Sequence, residues 1–205
     1  MTAPATITTI GSGSASGTPD AMRLRVGVRT TDSSAPKALA GIAAGATRLG
    51  EVASAFVAEE RIASRGLSVW PHHTTSEGDG YQASHAFELY CDSLEKAGEL
   101  VTALGEALRH ELTIDSVDPV LSDASGLIRQ ARAHAFEDAR AKATEMAALA
   151  GRALGEVITI VEEGGFDRPF IEFSSMSGAD GAMPFEPGAS SVTAGVRVTW
   201  QLTTA

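Results

Sequence analysis

The sequence predicts an α+β protein, and three observations predict it. Apolar and polar residues alternate with period two over residues 22–28, 81–91 and 192–202, the mark of strands with one buried face. Three longer stretches instead repeat their apolar residues at three- and four-residue steps, the mark of amphipathic helices. A content of 43% hydrophobic and 20% charged residues is ordinary globular usage, so residues 1–205 are expected to form one domain, with two lobes at about 7–110 and 111–205 as a subdivision.

The first strand is the irregular ITTIGSGSASG from residue 7, and Thr18-Pro19-Asp20 is expected to turn it back onto its partner at 21–30. There Met22, Leu24, Val26 and Val28 share one face against Arg23, Arg25, Gly27 and Arg29. Asp32, Ser33 and Ser34 offer capping oxygens and Pro36 suits a first helical turn, so a helix should run from here to about residue 60. Its stripe is Leu39, Ile42, Ala43, Ala46, Leu49, Val52, Ala53 and Phe56.

The ββα pattern then recurs, with strands at 66–72 and 81–91 joined by the polar HTTSEGDG. Asp92 followed by Glu95 matches a capping box, and Leu94, Ala97, Leu100, Val101, Leu104 and Leu108 make the second helix amphipathic. A short strand at 111–117 precedes the longest helix, opened by Ser122 and Asp123 and stopped by Gly151. Ile128, Ala131, Ala135, Ala139, Ala143, Met146 and Ala150 form its inner side, mostly alanine, which permits close backbone approach; Asp138 and Lys142 can pair across one turn. Strands at 156–162 and 191–203 close the chain.

Residues 163–188 are rich in Gly and Pro yet carry Phe166, Phe170, Ile171, Phe173, Met176, Met183 and Phe185. Pro169, Pro184 and Pro187 deny them a regular element in which to hide, so these seven side chains are expected to contact another subunit.

The net charge of −10, with arginines scattered along the chain, argues against a phosphate backbone as partner. The N-terminus MTAPATITTIGSG has no basic stretch and no long apolar run, so neither an export signal nor a membrane span is expected, and the cytoplasm is the expected location. GSGSASG is followed by a strand rather than a helix, which excludes a phosphate-cradling loop and leaves Gly11, Gly13 and Gly17 as bulge or close-packing positions. His72 and His73 point to opposite faces of a strand, and no ordered ligand spacing joins them to Glu77, Asp79 or His85, so no metal is expected. Cys91 shares strand parity with Phe87 and Leu89 and has no resolving partner, which makes it a buried small hydrophobe. No nucleophile elbow is present, and no catalytic residue or cofactor is expected.

The element order, together with the strings ITTIGSGSASGTPDAMRLRVGV, LSVWPHHT, GYQASHAFEL, HAFEDARAKATEMAALAGRALGEVITI and FEPGASSVTAGVRVTWQL, resembles the SIMPL-domain family, also described as periplasmic immunogenic or oxidative-stress-defence proteins. The resemblance implies an α+β fold and, in some members, large ring-like or channel-like homo-oligomers; it brings no catalytic residues. Family members commonly begin with an export signal, which this sequence does not show. The expected function is therefore non-enzymatic self-assembly, with a stress-defence role implied by the resemblance. A small-molecule or protein binding module using the 163–188 loop is the alternative, and a metal- or thiol-dependent enzyme the third reading.

Overall fold

The computed structural model describes residues 5–74, 78–163, 170–171 and 188–204. In chain order the elements are β1 Thr6–Gly17, β2 Ala21–Asp32, α1 Ala35–Ala53, β3 Ile62–Thr74, β4 Gly78–Cys91, α2 Leu94–Leu108, β5 Leu112–Val120, α3 Ser125–Leu149, β6 Arg152–Glu163, β7 Phe170–Ile171 and β8 Ser190–Thr204. The α+β class holds, and so does the order along the chain: ββα twice, a strand, the long helix and closing strands.

The pairing of the first two strands differs from the expected hairpin. β1 pairs antiparallel with β8 over its whole length, whereas β2 lies between β4 and β5. The reason lies in the glycines. A Cβ on Gly11 would collide with the Ala135 carbonyl, and one on Gly13 with the Ala131 carbonyl, so β1 fits directly against the backbone of α3. That pairing of a glycine strand with an alanine stripe draws β1 away from its neighbour in sequence. Contacts divide the chain into two compact units, one made of β1, α3, β6, β7 and β8, the other of β2, α1, β3, β4, α2 and β5.

In the second unit the strand order is β3-β4-β2-β5. Met22, Leu24, Val26 and Val28 of β2 are fully buried against Ile42 and Leu49 of α1 and Leu100 and Leu104 of α2. α1 ends at Ala53, short of the expected residue 60. The Ser54 hydroxyl donates to the Gly50 carbonyl at 2.8 Å, and the amides of Phe56 and Val57 both return to the Ala53 carbonyl at 2.9 Å. This tighter turn turns Val57 into the core. Ser34 makes no side-chain cap at the start of α1, which is left to Pro36 in the first turn. α2 is capped by Ser93, which accepts from the Lys96 amide, and not by Asp92, whose carboxylate pairs with Arg61 instead.

In the first unit α3 lies over a sheet of order β1-β8-β6, with β7 also on β8. Central β8 buries Val192, Val196, Val198 and Trp200, as its alternation foretold. Ala131, Ala135, Ala139, Ala143 and Ala147 are the buried line of α3. Met146, expected on that line, is exposed, because a strict four-residue step passes through Ala147.

Candidate self-association surface

Each sheet ends in two outer strands, and in the first unit these are β1 and β6. The outward backbone groups of β1 are taken up by side chains of α3. The Ser12 amide donates to Asp138 Oδ2 at 2.9 Å, Lys142 Nζ donates to the Ile10 carbonyl at 3.2 Å, and His134 Nδ1 donates to the Ser14 carbonyl at 2.8 Å. Asp138 also accepts from Lys142 at 2.6 Å, the pair the sequence suggested. This Lys142 hydrogen bond, then the Ser12 amide, hold the Asp138 carboxyl below its ordinary range. Close packing of Gly11 and Gly13 brings α3 near enough for all three contacts.

Among the described residues β6 has no such cover. Every residue from 156 to 162 is exposed, and the run includes Val157, Ile158, Ile160 and Val161, from 41% to 58% exposed. Val157 stands opposite Trp200 and Ile160 opposite Val198, hence on the helix side of the sheet; Val161 stands opposite the exposed Arg197 on the other. A strand apolar on both faces normally lies inside a sheet with both faces covered. Here it lies at the rim. Ion pairs from Glu162 to Arg132 and from Glu163 to Arg197 fasten its C-terminal end to α3 and β8.

In the second unit, Leu67, Val69, Trp70 and Tyr81 on the β3–β4 ribbon are also exposed. Together with the four on β6 they make up most of the exposed large apolar side chains among the described residues, so exposure is concentrated rather than scattered. In the sequence, 156–162 shows only as a closing strand. Its signal was VITIV, an apolar run with a single polar break and no alternation.

Of the seven residues expected at a subunit contact, Phe166, Phe173, Met176, Met183 and Phe185 lie outside the described residues. Phe170 and Ile171 enter as the backbone of β7, opposite Ser191 and Ser190 of β8.

Along α3 and β6 a cleft of about 360 Å³ is lined by Phe136, Arg140, Thr144, Leu154, Val157 and Trp200, among others. Its aromatic floor is the Phe136–Trp200 pair, ring centroids 6.4 Å apart. The histidines are dispersed. The ladder sets His73 opposite Asp79, His85 packs on Phe87 at 4.2 Å and meets the Ser64 hydroxyl at 2.6 Å, and His134 serves β1. Among the described residues no three His, Cys, Asp or Glu side chains gather as metal ligands would. Cys91 is fully buried in the second core, as its strand parity indicated. In that same unit the Ser122 hydroxyl and amide, at 2.6 and 2.7 Å, lower the Asp20 carboxyl pKa. No helix among the described residues is long and apolar enough to cross a membrane.

The sequence profile of the SIMPL family, described as a protein of unknown function (DUF541), matches residues 7–200. No curated protein matches the chain.

Proposed function

The chain belongs to the SIMPL family, and from that premise we propose that it is a non-enzymatic subunit that acts by assembling with copies of itself. The observation that supports this reading is the β6 rim, where four large apolar side chains are exposed and one edge of the strand has no partner strand among the described residues. Burying such a strand in a neighbour satisfies both, and the surface or lumen so built is the working part. Stress tolerance is the setting proposed with it. Native mass spectrometry with particle imaging tests the assembly: a discrete multiple of the 21.1 kDa chain is expected, and a monomer at every concentration overturns it.

The cleft beside Trp200 favours a second reading, binding of a small apolar ligand. A monomer that copurifies with such a molecule would replace the first reading.

A further inference from the structure

The two sheets present four outer strands, and three of them carry features that resist pairing with another chain. β1 has its outward groups taken by Asp138, Lys142 and His134. β3 contains Pro71, which has no N–H to donate. β5 is the shortest of the four at nine residues, contains Pro119 and carries Asp115 and Asp118. β6 runs twelve residues without proline and, although its ladder with β8 shifts on either side of Val157, it carries four exposed large apolar side chains and has no element over its outer side among the described residues.

From this contrast, and resting on the self-assembly reading, we infer that β6 is the strand through which two copies join, antiparallel to each other about Val157, so that two four-stranded sheets become one. The charges fit that arrangement. With Val157 opposite itself, Arg152 of each copy stands opposite Glu162 of the other, Leu154 opposite Ile160 and Ala153 opposite Val161, while no two acids meet. Arg152 has no ion pair among the described residues, so its charge is available. Centring the pair two residues later would set Glu156 against Glu162, a like-charge contact. Pairing to β1 of a neighbour, which would propagate without closing, is blocked by the α3 side chains, so the contact is isologous and closes on itself.

The test is disulfide trapping in the full chain. In a two-fold strand pair Val157→Cys faces its own copy at a separation a disulfide spans, and the native Cys91 is buried. Under mild oxidation Val157→Cys should give a covalent dimer about tenfold faster than Ile114→Cys at an exposed position of β5, because association raises the effective thiol concentration. The companion variant, Ile158→Lys with Val161→Lys, changes exposed positions and should keep its circular dichroism while losing the dimer contact in native mass. Equal trapping rates, or a double-lysine variant that keeps the full mass, overturn the β6 assignment. If the wild type is still oligomeric in that event, self-assembly survives and only the strand is wrong; a wild-type monomer overturns both.

Discussion

β1 and β6 flank the same central strand, yet the chain finishes them in opposite ways. β1 is built from Gly and Ser, hugs α3 and has its outward amide and carbonyls engaged by side chains of that helix. β6 is built around Val and Ile and is left bare by the described residues. Both would otherwise offer the same ladder of donors and acceptors, so the difference lies in side-chain chemistry. Small residues let a helix come close enough to seal a rim, and β-branched residues leave one open to a partner of its own kind.

The largest expected effect comes from removing what holds both rims. Trp200 is buried on β8 against Phe136 and opposite Val157, and Trp200→Ala should cost about 3–5 kcal/mol. Denaturant unfolding checks this; an unchanged midpoint would mean that the first unit does not rest on this side chain. Gly13→Ala should come next, at about 1–3 kcal/mol or more, since the added carbon meets helix backbone rather than a movable side chain. A neutral result there would remove the explanation for why β1 leaves β2.

A third variant opens the sealed rim directly. Asp138→Ala, Lys142→Ala and His134→Ala together should leave the fold intact but add a second adhesive strand, seen as light scattering that rises with concentration beyond the wild-type assembly. Unchanged scattering would show that helix side chains are not what keeps β1 unpaired. Asp138 gives a finer version of the same comparison. Its folded carboxyl titrates below the ordinary 3.8, so its contribution is present above that value and is lost as pH falls through the lower, folded one. Acidification below about pH 4 should therefore lower the unfolding midpoint more steeply in wild type than in Asp138→Asn. Parallel curves would separate Asp138 from the stability of this rim. The smallest effect belongs to the open side: Ile158→Lys should shift stability by no more than about 0.5 kcal/mol.

Much of the architecture was legible because it is written in local periods. The alternation in β2 and β8 located two buried strands, and the alanine line of α3 was visible at its four-residue step. Pairing was less so. The turn residues Thr18-Pro19-Asp20 suggested a hairpin, whereas the true partner of β1 is the last strand of the chain, and no local period encodes so distant a choice. Its trace was a complementarity: glycines at 11 and 13 match alanines at 131, 135 and 139. Caps slipped by a residue because adjacent Asp and Ser at 92 and 93 offer equal chemistry, and Asp92 was drawn to Arg61. The β6 surface was missed because an apolar run reads as buried until one knows that the strand is outermost.

The union of β1 with β8 also orders events in time. A ribosome releases β1 first and β8 last, so the opening segment has no partner until almost the whole chain has emerged. The elements β2 through β5 are contiguous and find one another earlier. Vectorial synthesis should then yield a state in which the middle of the polypeptide is folded while its first strand waits, with the undefended β6 emerging only shortly before β8 completes the sheet.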